Sequence, residues 1–215
     1  MTASTKEAIS RLFRYKSVLE KLRSLGMVKV FSDNLADSVG VSAALVRKDF
    51  SIFGITGHKR GGYRIEDLVE KLNRILGKEG VQKVVLVGCG KIGTALMEYR
   101  GFDAQHIRIV AGFDTNPAKL NPGAPMPIYP MDDFAKVVRA EGVQVAILAT
   151  PENVAAQVAE RLMAAGIRGI LNFAPIPLKS AAGCIVQNIN IALELENLFY
   201  YVRLHASDLT TEKKE

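Results

Sequence analysis

The hydrophobic pattern changes its period once along the chain. In the first part, apolar residues recur at helical spacing. Ile9, Leu12, Phe13, Val18, Leu19, Leu22 and Leu25 predict a helix over 6–25, closed by Gly26. Leu35, Ala36 and Val39 predict a second helix, with Ser32 or Asp33 as its N-cap. Gly40 supplies a tight turn, and Ser42 caps a third helix over 43–53. At about 100° per residue, Val46, Phe50 and Phe53 of that helix fall in one narrow stripe facing the core. Ile65, Leu68, Val69, Leu72, Ile75 and Leu76 predict a fourth helix, followed by Gly77 and Gly80. The second part opens on Val84–Val87, a continuous apolar run of the kind found in strands buried on both faces of a parallel sheet. Further strands are expected at 107–113, 145–149 and 169–172, with helices at 131–140 and 153–165. That alternation gives an α/β, doubly wound parallel sheet. A last helix is expected over 190–205. Ile191, Leu195, Leu198, Phe199 and Val202 form its main stripe, widened by Leu193, Tyr200, Tyr201 and Leu204. A terminal helix apolar on more than one side docks on something, either a partner subunit or its own domain. Three segments result: 1–80, 81–189 and 190–215.

Composition narrows the class. The 215 residues are 48% hydrophobic, enough for a sizeable core. No apolar run approaches the ~20 residues that span a bilayer, and the first residues lack the apolar stretch of a secretory signal. Two cysteines, Cys89 and Cys184, make no disulfide framework and lack metal-ligand spacing, so no metal is expected and a cytoplasmic location fits. Charge is unevenly placed. Residues 1–80 hold 15 Lys and Arg against 9 Asp and Glu, which is the whole net charge of +6; residues 81–215 hold 13 of each. A basic segment joined to a neutral one points to a polyanion partner for the first.

The basic segment has matching chemistry. Two short helices joined at a glycine turn form a helix-turn-helix. Ser42, Ala44, Arg47, Lys48 and Ser51 lie on the polar side of the third helix. Cations, a hydroxyl and a small methyl are the groups that read phosphates, guanine edges and thymine methyls. Arg47 is the first choice for a base contact because its fork can bond guanine O6 and N7 together; Lys48 suits a phosphate. Arg47 and Lys48 also read as the wet face of a surface helix. The following loop, GHKRGGYR at 57–64, weighs against that. Its flanking glycines permit a sharp hairpin, and His58, Lys59 and Arg60 at the tip suit a wing laid along a minor groove.

The neutral segment carries a dinucleotide fingerprint. Gly88-Cys89-Gly90-Lys91-Ile92-Gly93 follows the first strand and opens a helix. Gly88 permits the turn, Gly90 the approach of a pyrophosphate, and Gly93 the close packing of helix on strand. Asp114 lies 24 residues after Gly90, at the end of the second strand, where a carboxylate accepts from ribose hydroxyls. A carboxylate there repels a 2′-phosphate, which favours NAD(H) over NADP(H). Lys119 can reach the adenosine end, or is simply solvated. Thr150-Pro151 ends a strand at the sheet edge where ligands sit. Cys89 reads as a small residue that fits rather than a redox thiol. His58, His106 and His205 offer no acid or base near a nicotinamide, so an enzyme is not expected.

The chain resembles the Rex family of redox-sensing transcriptional repressors. The resemblance rests on ISRL at 9–12, VRKDFSIFG at 46–54, GYR at 62–64, the glycine motif with Asp114, and ILNFAP at 170–175. It implies a homodimer of winged-helix and Rossmann domains with exchanged C-terminal helices. Such a protein binds a palindromic double-stranded operator when NADH is low and releases it when NADH rises. By the same resemblance Arg47 and Lys48 lie on the recognition helix, Tyr99 lies beside the nicotinamide, and Gly88, Gly90, Gly93 and Asp114 hold the rest of NADH or NAD. Phe199 on the exchanged helix is a candidate neighbour of the ring. The chain departs from the family at Ser17 and Asn190, where members commonly carry an arginine and an aspartate paired in one state of the switch. Loss of both charges strands neither. Arg14 or Lys16 are substitutes for the lost cation, and a neutral hydrogen bond between Ser17 and Asn190 is a further alternative. The departure keeps open a DNA-binding protein with a weakened or altered switch; an NAD-dependent oxidoreductase is the other rival.

Overall fold

In the computed structural model the chain is described over residues 3–57, 61–77 and 80–211. It divides into two compact units, Met1–Gly80 and Val81–Glu215.

The first unit runs α1 (Ala3–Ser24), β1 (Lys29–Val30), α2 (Ser32–Val39), α3 (Ala43–Ile52), β2 (Tyr63–Arg64) and α4 (Ile65–Ile75). Its core gathers the apolar stripes of the four helices: Leu12 and Leu19 of α1, Leu35 of α2, Val46 and Phe50 of α3, and Leu68 and Leu72 of α4. Ser42 caps α3, its hydroxyl accepting the Leu45 N–H at 3.2 Å. The expected cap of α2 is corrected. Phe31 is the N-cap, and neither Ser32 nor Asp33 serves. Strand β1 buries Val30, the chain is still extended at Phe31, and Ser32 is already helical and buried. Asn34 instead reaches back, its side-chain oxygen accepting the Phe31 N–H at 3.1 Å. Strands β1 and β2 pair antiparallel, with Lys29 opposite Arg64 and Val30 opposite Tyr63. Gly62 makes this ribbon possible: its φ is +65°, and a Cβ there would lie 2.7 Å from the Val30 carbonyl oxygen.

The second unit runs β3 (Gln82–Val87), α5 (Lys91–Met97), β4 (Ile107–Asp114), β5 (Ile128–Pro130), α6 (Phe134–Glu141), β6 (Val145–Leu148), α7 (Glu152–Ala164), β7 (Gly169–Asn172), β8 (Ile185–Asn188) and α8 (Ile191–Thr211). The six strands form one parallel sheet in the order β5-β4-β3-β6-β7-β8. Alternate residues of β3 explain its unbroken apolar run. Val85 and Val87 pack with Phe134 and Val138 of α6 and Ala155, Ala159 and Leu162 of α7. Val84 and Leu86 pack on the other face with Leu96 and Met97 of α5. Both faces are covered, as a doubly wound sheet requires. The segment at 131 begins as a short 3-10 turn, Met131–Asp133, before α6. The strand order reverses between β3, which continues to β4 on one side, and β6 on the other. A crevice opens there at the carboxyl ends of the strands.

Candidate functional site

The crevice is a cleft of about 660 Å³, within the ~300–1,000 Å³ usual for small-molecule sites. Of the residues expected to hold a cofactor, Gly88, Gly90, Lys91, Ile92, Asp114, Lys119, Thr150 and Pro151 line it. Cys89 is buried, and Gly93 is buried in the first turn of α5. The three glycines differ in what they do. Gly88 has φ +95°, and a Cβ on it would lie 2.5 Å from the Ala149 carbonyl oxygen, so the loop presses directly on the end of β6. A Cβ on Gly93 would run into the carbonyl oxygen of Gly88, which ties helix to loop. Around Gly90 nothing lies within 4 Å of a Cβ, so its backbone is open to a ligand. Thr150 Oγ1 is buried with no hydrogen-bond partner among the described residues. An open glycine in a helix-opening loop and an unsatisfied hydroxyl in the same cleft both fit a phosphate-bearing dinucleotide.

Asp114 holds the loop from the side. Its Oδ2 accepts the Cys89 N–H at 2.9 Å and the Lys119 ammonium at 2.9 Å, and its Oδ1 accepts the Asn116 N–H at 2.8 Å. Burial alone would raise its pKa. The hydrogen bonds from Asn116, Lys119 and Cys89 outweigh burial and hold the carboxyl below its ordinary value. Three donors leave acceptor capacity on Oδ1 for one more. The neighbouring Cys89 thiol moves the other way, pushed up to about 11 by burial first and then by the Asp114 charge.

Several lining residues are not among the expected cofactor-binding residues. Gln157 and Arg161 come from α7, and Phe173 and Pro175 from the turn after β7. That turn is built on Asn172, which is fully buried. Its amide donates to the Ile176 carbonyl and to Asn188 Oδ1, both at 2.8 Å, while its own oxygen accepts the Ala174 N–H at 3.0 Å. Tyr99 does not line the cleft. It is 59% exposed, with its ring edge-on to Phe102 at 5.1 Å.

In the first unit, Ser42, Ala44, Arg47, Lys48 and Ser51 are all exposed on α3, a continuous polar face. Arg47 lies 4.0 Å from Asp33, too far to hold it. His58, Lys59 and Arg60 lie outside the described residues. What fixes α3 is Asp49, a residue outside the expected site. It is 1% exposed and receives Arg11 as a two-pronged fork, Nε at 2.7 Å and Nη2 at 2.8 Å, together with the Tyr15 hydroxyl at 2.9 Å. The bond from Asp49 raises the Arg11 pKa; burial first, and then Asp49, pushes the Tyr15 phenol up to about 12.

The two positions at which the resemblance implies a charge pair differ in their surroundings. Ser17 is exposed on α1, and its neighbour Lys16 is buried and ion-paired to Glu20 at 2.8 Å. Asn190 caps α8, its side-chain oxygen accepting the Leu193 N–H at 3.1 Å. An aspartate would make the same cap. Helix α8 itself carries Ile191, Leu198, Phe199, Tyr200 and Val202 at 56–62% exposure. Among the described residues there is no cluster of metal-ligating side chains and no helix long and apolar enough to cross a membrane.

Known proteins match along the same divisions. A model described as a putative DNA-binding protein N-terminus matches residues 5–51, and one described as a CoA binding domain matches residues 80–176. The redox-sensing transcriptional repressor Rex of Limosilactobacillus reuteri (strain DSM 20016) is 35% identical over 206 residues, 95% of each chain. That of Carboxydothermus hydrogenoformans is 38% identical over 196 residues, 91% of this chain and 94% of its own. Among solved structures, RSP in complex with beta-NAD+ and operator DNA superposes with a TM-score of 0.86 at 29% identity, covering 100% of this chain and 98% of the other. RSP with beta-NADH gives 0.82 at 29% identity over 99% of each chain. Both curated relatives are named as repressors, not as enzymes.

Proposed function

Because the chain belongs to the Rex family of redox-sensing transcriptional repressors, we propose that it is a DNA-binding repressor that holds a palindromic operator and releases it when NADH rises against NAD+. The observation that carries this is the presence in one chain of an exposed recognition face on α3 and a dinucleotide cleft at the β3/β6 reversal. Arg47 and Lys48, with Ser42, Ala44 and Ser51, meet the major groove. Gly88, Gly90, Lys91 and Ile92 receive the pyrophosphate, Asp114 and Lys119 the adenosine ribose, and Thr150 and Pro151 a polar edge further along the cleft. A ligand moves an equilibrium only by binding one state better. The charged groups lining the cleft are Lys91, Lys119 and Arg161 against Asp114 alone among the described residues. Those cations suit the phosphates.

The protein acts as a homodimer in the cytoplasm. The exposed apolar flank of α8 supports the dimer, since such a surface needs a cover. A twofold pair of recognition helices reads half-sites ~34 Å apart. Asn190 and Ser17 favour a second reading, in which the DNA clamp is intact but its switch is altered. The test is fluorescence anisotropy of a duplex selected by this protein from a random pool, at fixed salt, titrated with NADH and separately with NAD+. Release by NADH alone supports the sensor and makes the family's charge pair dispensable. Equal binding under both leaves a clamp whose switch is lost or answers to another ligand.

A further inference from the structure

The β1–β2 ribbon holds two cations in an arrangement that is unfavourable by itself. Lys29 and Arg64 are directly opposed in the antiparallel register, so their side chains rise from the same face of the ribbon. Like charges so placed repel, and the chain keeps them there in the unit that carries its whole net charge. The same two side chains line a groove of about 240 Å³ that runs from the base of the wing to α4. Gly57, Gly61 and Gly62 form its wing end, and Lys71 of α4 adds a third cation. One carboxylate, Asp67, lies in the lining, and Arg64 approaches it only to 3.9 Å. Neither Lys29 nor Lys71 is ion-paired among the described residues. All three cations are exposed. At the wing end the backbone packs closely on an aromatic ring: a Cβ on Gly57 would lie 2.5 Å from the Tyr63 ring.

We propose that Lys29, Arg64 and Lys71 form a second backbone-binding site, a groove beside the wing that takes phosphodiester groups of the duplex outside the bases read by α3. The inference rests on the DNA-binding reading above. Gly57, Gly61 and Gly62 at the described ends of the wing loop line the groove, and three cations against one acid fit a polyanion. The groove's cations bond phosphate oxygens alike whatever the base, so it contributes affinity and no sequence preference.

The test is the salt dependence of duplex binding by the full-length protein and by the Lys29→Gln/Arg64→Gln/Lys71→Gln variant, on a long-flanked duplex selected by the parent. Each phosphate contact contributes roughly 0.9 to the slope of log affinity against log salt, so the triple variant loses roughly 2.7 per protomer, or roughly 5.4 for the bound dimer, if all three cations engage. Base preference stays as in the parent. Thermal stability holds or rises, because the Lys29–Arg64 repulsion is gone. A slope equal to the parent's overturns the site while leaving the repressor intact; a parent that selects no duplex overturns both. If the triple variant does not fold, Lys71→Gln alone, on an exposed helix face, lowers the slope by about 1.8 for the bound dimer or the site is overturned. Inorganic phosphate at matched ionic strength separates the sources. If phosphate binds the parent and not the variant while the two bind duplex with the same salt slope, the groove serves free phosphate and not DNA.

Discussion

Each of the two working elements of this protein is held by one aspartate, and the two are held differently. Asp49 sits on α3 with 1% of its side chain exposed, and all three of its hydrogen bonds come from side chains of α1. Asp114 sits at the rim of the cleft with 10% exposed; two of its three donors are backbone N–H groups and the third is a lysine that is itself 36% exposed. Asp49 is enclosed and its bonds are spent on orientation: it fixes which face of α3 looks outward and touches nothing itself. Asp114 shapes the glycine loop and still offers an acceptor to the cleft. An interior carboxylate positions; a rim carboxylate positions and keeps an acceptor free. The difference follows from how much water each was left.

The largest effect should come from Asp49→Ala. It leaves the Arg11 fork and the Tyr15 hydroxyl without their acceptor. Removing one partner of a buried pair costs about 3–5 kcal/mol, and with Arg11 at 18% exposure the lower end, about 3 kcal/mol, applies. Denaturant unfolding measures it. At a temperature where the variant remains folded, duplex affinity falls while NADH affinity, followed by the coenzyme's own fluorescence, holds. A loss of less than about 0.5 kcal/mol, in the range of ordinary surface substitutions, would show that the triad is ornamental.

Asp114→Ala tests the other side of the comparison. A hydrogen bond to a charged group contributes about 1.5 kcal/mol or more, so NADH should bind roughly tenfold more weakly, and the preference over NADPH should narrow as the charge that repels a 2′-phosphate disappears. Stability should fall by less than in Asp49→Ala, because backbone donors at the rim can turn to water. Coincident NADH titrations for variant and parent would remove Asp114 from the binding site.

How much of this was legible in the sequence follows from the range of the signals. The helices and strands were readable because their periods are local: Val46 and Phe50 lie in the core on the angle predicted for them, and Val84–Val87 are buried on both faces. The cap of α2 was misread because Ser32 has the right chemistry but sits one residue inside the helix, a shift set by the burial of Val30. Asp49 was readable in principle. It falls beside Val46 and Phe50 on the core side of α3, and a carboxylate there demands a cation. Arg11, 38 residues away, could not be named without the fold. Gln157 and Arg161 reach the cleft through strand order, which no local pattern encodes, while Phe173 and Pro175 lay in the ILNFAP motif but with no role attached to it. Tyr99, assigned by resemblance to the ring, is outside the cleft of this chain, and Phe199 lies on a helix whose apolar side chains are exposed.

The smallest effect isolates charge from hydrogen bonding at the rim. The Cys89 thiol is pushed from its ordinary 9.0 up to about 11 by burial and then by the Asp114 charge, with Lys119 acting in the opposite sense. A thiol whose pKa is higher folded than unfolded adds stability below pH 9 that is lost as pH rises toward 11. Asp114→Asn keeps an oxygen for the Cys89 N–H but removes the charge, so the thiol pKa should fall below that of the parent. It should remain above 9.0, because burial is the larger cause and is unchanged. The alkaline window of lost stability should narrow with it. Thiolate absorbance, read as the difference between Asp114→Asn with and without Cys89→Ser, against the same pair in the parent background, measures the shift. A thiol that titrates identically in both backgrounds would mean that the carboxylate acts on the loop through its hydrogen bonds alone, and that the charge at the rim is reserved for the ligand.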